Sequence, residues 1–390
     1  MQMKRQILRT ILIVAVMPAL LGCAQKQYQK RPTVGDVEEI LASPGGRSYG
    51  LLSSFDRTSR TGDIVIVGEP EKTVKMLERF ASADFCDNVS GACVPDALPD
   101  FAGERISAIL DIANAGYDSL FLSDQGNTLR SLSVRALVAA LDTACCLAPY
   151  DDEFRSRRPA AKAMVYSSPY MDVCGNFDVD TLKRSVGADI PVIYPVRSAF
   201  ESIFSRREDA SVVAVMPDPC VDPAVYVSIF KEITADGDRA LSSCIPVSTV
   251  RKSKDFFRDF LSSYIEEGRN GKISAVLVDD DNRNLVEMQA SYRRIFEVQS
   301  EENLEFRKFL SRDLIFVYTL DCAARKCYEL FRQRNVFTHF IAYPKTSIYI
   351  TKDLPGSYVL VDYDPSYLPD GLEGMLKQSA PKLFESYVQN

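Results

Sequence analysis

The segment Ile273 to Arg283, ISAVLVDDDNR, runs from an apolar stretch directly into three adjacent aspartates. Its aliphatic and β-branched residues are nearly continuous, which is typical of a strand that is buried on both faces. Strands of this kind belong to parallel sheets that are covered by helices on each side. The segment therefore predicts an α/β fold in which Asp279, Asp280 and Asp281 follow the carboxyl end of a buried strand.

The same pattern recurs along the chain. Five further stretches resemble buried strands: DIVIVGE, AKAMVYSS, IPVIYPV, SVVAVMPD and LIFVYT. Most of them are followed by helical periodicity, as in EKTVKMLERF, YVSIFKEI, LVEMQASYRRIF and CAARKCYELFRQ. Strands that alternate with helices predict a largely parallel sheet whose strands are connected by crossover helices.

Composition limits the classes of function. The chain has 390 residues, of which 46% are hydrophobic and 25% charged, so it can bury a sizeable core. Its net charge is −7, and it contains no basic stripe that would attract a phosphate backbone. We therefore expect no nucleic-acid partner.

The first 23 residues resemble the signal peptide of a bacterial lipoprotein. Basic residues precede an apolar run from Ile11 to Leu21, which is too short to span a bilayer. The run ends in Leu20-Leu21-Gly22-Cys23, which resembles a lipobox, and this resemblance implies that Cys23 is lipidated. Ala24 favours the outer membrane, so we expect a cell-envelope lipoprotein that faces the periplasm and contacts the membrane through its anchor. The alternative is an ordinary signal peptide that ends in cysteine.

The expected periplasmic location is an oxidising compartment, in which the other cysteines can form persistent disulfides. Nine of the ten cysteines remain after Cys23, so at least one has no partner within the chain. Cys86 and Cys93 are the best candidates for a local disulfide, whereas Cys145 and Cys146 are adjacent and favour packing. There is no repeated C-x-x-C motif and only one histidine, so the spacing does not indicate zinc.

Polar residues follow several of the predicted strands. In parallel α/β sheets, ligands bind beyond the carboxyl ends of the strands, where helix N-termini converge. No Gly-rich phosphate loop, nucleophile elbow or kinase signature occurs there, so we expect no nucleotide cofactor. The residues at these strand ends are Gly68-Glu69, Ser167-Ser168-Pro169, Pro217-Asp218, Asp279 to Asp281 and Thr319 to Asp321.

From Ser167 to Asp353 the chain resembles the cofactor-independent glutamate/aspartate racemases. DIPVIYPV matches the family's I-P-V-I-G strand, and VAVMPDPCVDPAVY matches the strand followed by T-P-x-T, with Cys220 at the second threonine. IFVYTLDCAARKCYELF matches the D-S-x-x-A-T-A helix start, with Thr319 at its serine, and SIYITKD matches the terminal F-Y-V-T-x-D.

The resemblance implies an α/β fold with two lobes, each a largely parallel sheet flanked by helices, and a ligand cleft between them. With the leader included, we expect a signal peptide at residues 1–23, a tether at 24–62, a first lobe at 63–196, a second lobe at 197–313, and a segment at 314–390 that completes the first lobe.

The family's two catalytic thiols are missing. The first falls on Ser167 or Ser168, and the second falls on Asp280, with Asn282 where the family has histidine. Racemisation requires two bases on opposite faces of the substrate α-carbon. The resemblance therefore supports the racemase fold, whereas the missing thiols contradict racemase activity. We therefore expect a protein that binds a small polar ligand and is not an active racemase. The expected ligand contacts are Ser167, Ser168, Cys220, Asp280, Asn282 and Thr319.

Alternatives remain open for the three aspartates and for the function. The aspartates could cap the following helix, place Asp280 against a ligand, bind calcium or magnesium, or supply Asp280 as a lone base. The other candidate functions are a type I solute-binding protein of a transporter and a diverged amino-acid racemase, isomerase or lyase.

The lipobox interpretation predicts that Cys23→Ser releases the protein from membranes, because the short apolar segment cannot hold it there without acyl chains. Fractionation followed by a carbonate wash measures this. A Cys23→Ser protein that stays in the washed membrane pellet would show that the interpretation is wrong.

Overall fold

The structure, a computed structural model, describes residues 31–124, 126–151, 153–235, 242–246, 255–279, 282–340, 342–352, 356, 358–362 and 372–381, without the side chains of 282–284, 372 and 376. Its described residues from Val34 onward form one compact unit. Cys23, the expected lipidation site, lies outside the described residues.

Six strands form the larger sheet. In spatial order they run β12-β11-β2-β1-β5-β6, and every pair is parallel except the β11–β12 pair. The strands are β1 (Asp63–Gly68), β2 (Arg105–Leu110), β5 (Ala161–Tyr166), β6 (Val192–Ile193), β11 (Lys345–Thr351) and β12 (Leu360–Asp362).

Four parallel strands form a second sheet in the order β10-β9-β7-β8. A short antiparallel pair, β3 (Ala144–Cys145) and β4 (Ser156–Arg157), lies beside β12 of the larger sheet, where Cys146 forms an isolated bridge with Val361. The strands of the second sheet are β7 (Val212–Met216), β8 (Ser243–Pro246), β9 (Ile273–Val278) and β10 (Leu310–Tyr318).

Helices connect the strands. Four of them begin with proline shortly after a strand, which suits a first-turn position whose N–H would have no helical partner. Among the described residues, no helix combines the length and the apolar character needed to cross a membrane. The helices are α1 (Gly35–Ala42), α2 (Arg47–Ser53), α3 (Pro70–Ala81), α4 (Tyr117–Asp124), α5 (Asn127–Leu141), α6 (Pro169–Val186), α7 (Pro195–Arg206), α8 (Pro223–Thr234), α9 (Phe256–Glu266), α10 (Asn282–Glu297), α11 (Glu301–Lys308), α12 (Thr319–Arg334) and α13 (Leu372–Ser379).

The two faces of β1 in the larger sheet belong to two different buried hydrophobic clusters. Ile64 and Ile66 of β1 belong to one buried hydrophobic cluster, whereas Val65 and Val67 belong to the other. Successive strand residues point to opposite faces, and helices cover both, so every residue of β1 is buried. This explains the continuous apolar runs, and the predicted α/β fold with parallel sheets flanked by helices is confirmed.

Two of the predicted boundaries need correction. The boundary between 313 and 314 falls inside β10, because this strand pairs with β9 in the four-stranded sheet. The expected tether at 24–62 is too long, since Val37 of α1 and Leu52 of α2 are fully buried in the compact unit. Cys86 and Cys93, the pair for which we expected a local disulfide, carry free thiols in this structure.

An ion pair is buried near the amino ends of the larger sheet. The Lys162 ammonium lies 2.5 Å from the Glu104 carboxylate, and neither side chain is more than 3% exposed. The ammonium also donates to the carbonyls of Arg60 and Val336, both at 3.2 Å. Lys162 thus connects β5 with the residues that precede β1, those that precede β2 and those that follow α12.

We predict that Lys162→Met lowers the free energy of unfolding by about 3–5 kcal/mol, because Glu104 is left buried without its counter-charge. Urea denaturation measures the change. Lys345→Met is the control, since Lys345 is an exposed lysine of the same sheet. If both variants lie within about 0.5 kcal/mol of the parent, the role given to this ion pair is wrong.

Candidate functional site

A cavity of about 400 Å³ lies at the carboxyl ends of strands from both sheets. Glu69 follows β1, Ser168 follows β5, and Asp218 and Asp279 follow β7 and β9. Because parallel strands end at the same edge of a sheet, residues far apart in sequence meet here. We call this the strand-end cavity, and its lining also includes Pro70, Glu71, Lys72, Lys75, Ala115, Pro169, Pro219, Cys220, Val221, Tyr318, Leu320 and Met375.

Lys72, in the first turn of α3, is the central cation of the strand-end cavity. Its Nζ lies 2.5 Å from Oδ2 of Asp279 and 3.4 Å from Oδ2 of Asp218. Burial alone would lower the pKa of Lys72, but the two carboxylates outweigh burial and raise it. Lys72 therefore stays charged and connects a helix of the larger sheet to two strand ends of the smaller sheet.

Asp279 receives two further side-chain donors. Thr319 at the start of α12 donates from Oγ1 to Oδ1, and the Tyr226 hydroxyl of α8 donates to Oδ2 at 2.6 Å. The Tyr226 oxygen in turn accepts the backbone N–H of Asp218 at 2.9 Å. These contacts show Asp279 as a buried acceptor for side chains, which differs from the helix-capping alternative considered for the three aspartates.

The two adjacent serines have different environments. Ser167 bonds with the Thr73 hydroxyl at 2.7 Å and with the Val67 carbonyl at 3.1 Å, so its hydroxyl is committed to β1 and α3. A side chain at Gly68 would place Cβ 2.2 Å from the Ser167 Oγ, which explains the glycine. Ser168 is 2% exposed, yet its hydroxyl has no hydrogen-bond partner among the described residues.

Glu69 and Cys220 are two titratable groups of the strand-end cavity that lie outside the Lys72 ion pairs and have raised pKa values. The Glu69 carboxylate accepts the backbone N–H groups of Gly116 and Tyr117, both at 3.1 Å, while burial raises its pKa. Burial also raises the pKa of the Cys220 thiol, and the Asp218 carboxylate adds to this. The thiol is therefore protonated at neutral pH and is a weak nucleophile.

The expected ligand contacts fall into three groups. Ser168 and Cys220 line the strand-end cavity, whereas Ser167 and Thr319 contact residues next to it. Asp280 lies outside the described residues, as does the side chain of Asn282 at the start of α10.

Sequence reasoning did not single out Lys72 as part of the site. A lysine in the first turn of an amphipathic helix normally indicates a solvent-exposed face, and only the tertiary contact with Asp279, 207 positions away, reveals its role. In the described part of the chain, no group of three or more histidine, cysteine or acidic side chains is arranged to hold a metal ion.

No protein-family model matches the chain, and no curated protein matches it. Among solved structures it is similar to glutamate racemase from Francisella tularensis in complex with D-glutamate, at 11% identity, 82% coverage of this chain, 94% of the other and a TM-score of 0.45. It is also similar to a glutamate racemase isoform from Bacillus anthracis, at 10% identity, with 82% and 93% covered and a TM-score of 0.45. A putative Asp/Glu racemase from Yersinia pestis has 10% identity, 69% and 98% coverage and a TM-score of 0.37. At these levels the likenesses identify no ligand and no catalytic residue of this chain.

We predict that Lys72→Met destabilises the protein in a pH-dependent way. Burial raises the pKa of Asp279 in the folded state above its unfolded value near ~3.9 even beside Lys72, and loss of the ammonium raises it further. The folded state then binds more protons than the unfolded state above that value, so stability falls as pH rises. The loss relative to the parent is small near pH 4 and reaches about 3–5 kcal/mol at pH 7.

Denaturant unfolding of the parent and Lys72→Met between pH 4 and pH 7 measures this. Lys75→Met is the matched control, because Lys75 lies one turn later in α3, has a side chain that is 38% exposed and pairs with Glu71. A loss for Lys72→Met that does not depend on pH would contradict the ion-pair account.

Proposed function

We propose that this protein is a lipid-anchored protein of the cell envelope, facing the periplasm, that binds a small polar molecule in the strand-end cavity and does not racemise glutamate or aspartate. The observation that carries the binding proposal is the buried, unpartnered hydroxyl of Ser168 in the cavity lining. The proposed location in the cell envelope is supported by the lipobox resemblance at Cys23 and by the apolar run before it.

The unbonded Ser168 hydroxyl lowers the stability of the unliganded protein. A buried polar group without a hydrogen bond destabilises a protein by about 1–3 kcal/mol, and a ligand that bonds to it recovers this. Ser168 also directly precedes α6, a helix of 18 residues whose first N–H groups and dipole favour a negatively charged or accepting group. This end of the cavity therefore suits a carboxylate or another oxygen acceptor.

The charge of the remaining cavity lining favours a ligand group that is positively charged. The described lining of the cavity holds more acidic than basic side chains. The two ammonium groups are those of Lys72 and Lys75, and the four carboxyl groups are those of Glu69, Glu71, Asp218 and Asp279. Both ammonium groups are already paired with carboxylates, so the excess negative charge is available to a cationic ligand group. Together with Ser168, this favours a small molecule that carries an ammonium group and a hydrogen-bond acceptor.

Several features argue against proton abstraction from an amino acid. The Ser167 hydroxyl is committed to Thr73 and Val67, and a serine hydroxyl is a far weaker base than a thiolate. The Cys220 thiol has a raised pKa, and Asp279 is bonded to three donors. Inversion at carbon needs an activated base on each face, and these residues do not supply the pair.

The rival functions differ in what supports them. A type I solute-binding protein is expected to have three chain crossings and matched six-stranded lobes. In the described part of this chain, the backbone passes from the six-stranded sheet to the four-stranded sheet after β6 and returns after β10, which makes two crossings. Over that part of the chain, the two sheets are therefore unequal and are not connected three times. A diverged isomerase or lyase has one observation in its favour, because Glu69 is a cavity carboxyl with a raised pKa and could serve as a base.

A thermal-shift screen of the full chain with amino acids, peptidoglycan fragments and sugars tests the binding proposal. We expect at least one compound to raise the Tm saturably, by the equivalent of about 2.7 kcal/mol at 100 times its Kd. In Ser168→Ala we expect the Kd for that compound to rise about 5- to 100-fold, while the unliganded protein is no less stable.

Ser133→Ala is the matched control. Ser133 is also fully buried, but its hydroxyl donates to the Leu129 carbonyl and lies outside the cavity lining, so its removal should leave the Kd unchanged. If Ser168→Ala binds the compound as tightly as the parent, the ligand does not occupy the strand-end cavity as proposed.

A further inference from the structure

The segment between α3 and β2 is ordered by its own aspartates. The Asp84 carboxylate accepts the backbone N–H groups of Asp96 and Ala97, both at 3.0 Å. Asp100 accepts those of Phe85 and Cys86, again at 3.0 Å. Carboxylates in these roles favour one conformation at the two ends of this segment, at Phe85–Cys86 and at Asp96–Ala97.

Within this segment, a tight turn brings two cysteines together. The Asp87 N–H donates to the Ala92 carbonyl at 2.9 Å, and the Gly91 N–H donates to the Asp87 carbonyl at 2.7 Å. Cys86 and Cys93 directly flank this closed turn, and their thiols are close enough to influence each other's ionisation. Cys86 is buried, whereas Cys93 is exposed.

The turn is also fixed from outside. Gly91 adopts a φ of +70°, which favours glycine, and a Cβ there would overlap the Arg332 guanidinium of α12. Arg332 donates to the Ser90 carbonyl at 3.2 Å. The two thiols are therefore held next to each other by contacts that do not depend on a bond between them.

We propose that Cys86 and Cys93 form a reversible redox site, which closes to a disulfide by exchange with a disulfide-bonded oxidant such as glutathione disulfide or an oxidised thiol-disulfide oxidoreductase. The site is separate from the strand-end cavity and does not depend on the proposed ligand. Forming the bond requires only that adjacent side chains adopt disulfide geometry, because the backbone already closes the turn.

The exposure of the two thiols sets the order of the steps. The Cys93 thiolate attacks one sulfur of the oxidant, forms a mixed disulfide and releases the first thiolate. Burial raises the pKa of the Cys86 thiol to about 11, with the Asp100 carboxylate adding to this, so Cys86 is the poorer first nucleophile. Cys86 then loses its proton, attacks the Cys93 sulfur and releases the second thiolate. Two protein thiols are oxidised, and one disulfide is reduced to two thiols.

Closing the disulfide affects a second cavity, of about 530 Å³, on this side of the molecule. Asn88 and Val89 of the turn line it together with Phe337 and Phe340. Val89 is 96% exposed and Phe340 is 79% exposed. A covalent closure of the turn restricts the wall that carries Val89, so oxidation stiffens one side of this cavity.

The test uses the full chain in detergent, reduced and then equilibrated in glutathione buffers from fully reduced to fully oxidised. Free thiols are alkylated and the protein is digested without reduction. We expect two fewer alkylated cysteines in the oxidised protein, a cross-linked peptide joining Cys86 to Cys93, and a Tm that is several degrees higher than in the reduced protein. Added reductant should reverse all three.

Two variants test the order and the pairing. Cys93→Ser should abolish both the cross-link and the Tm difference, and Cys86→Ser should accumulate a glutathione adduct on Cys93. Cys220→Ser is the control for exposure, since Cys220 is the other exposed cysteine among the described residues, and it should leave the cross-link intact. Unchanged alkylation of Cys86 and Cys93 in fully oxidised buffer, or their cross-linking to other cysteines, would overturn the proposal.

Discussion

The Lys72 ammonium between Asp279 and Asp218 is the interaction on which the arrangement of the site depends. It connects α3, which belongs to the larger sheet, to two strand ends of the smaller sheet. Desolvation makes such an ion pair a weak net contributor to stability, but breaking it leaves an uncompensated buried charge. The pair therefore favours one relative placement of the two sets of strand ends over others. The position of the strand-end cavity follows from that placement.

The same interaction decides what chemistry the cavity can perform. A carboxylate bonded to an ammonium, a phenol and a hydroxyl has three of its about four lone-pair sites occupied, so Asp279 is a structural acceptor and a poor base. Outside the Lys72 ion pairs, the cavity lining includes the Ser168 hydroxyl, which has no hydrogen-bond partner among the described residues, and the Glu69 carboxyl. One offers a hydrogen bond and the other a negative charge, which supports the proposed binding function.

Much of the fold could be predicted because helices cover both faces of the central strands, and continuous apolar runs such as that before Asp279 mark such strands. β10 was placed in the wrong segment because Arg312 and Asp313 are exposed on an edge strand, which breaks its apolar run. The site could be predicted only as a set of strand ends. Motif matching placed the emphasis on Asp280, which lies outside the described residues, whereas among the described residues it is Asp279 that contacts Lys72. No local pattern indicates that a helix lysine will meet a carboxylate from the other sheet.

The most direct test of the central claim, that this site binds without racemising, is incubation of the purified protein with L- and D-glutamate and aspartate in deuterated water. Chiral chromatography and mass spectrometry then report configuration and deuterium at the α-carbon. The account predicts retained configuration and no deuterium uptake from any of the four substrates. Inverted, deuterated product that disappears in Asp280→Asn or in Glu69→Gln would contradict it and establish an enzyme that uses a base other than a thiol.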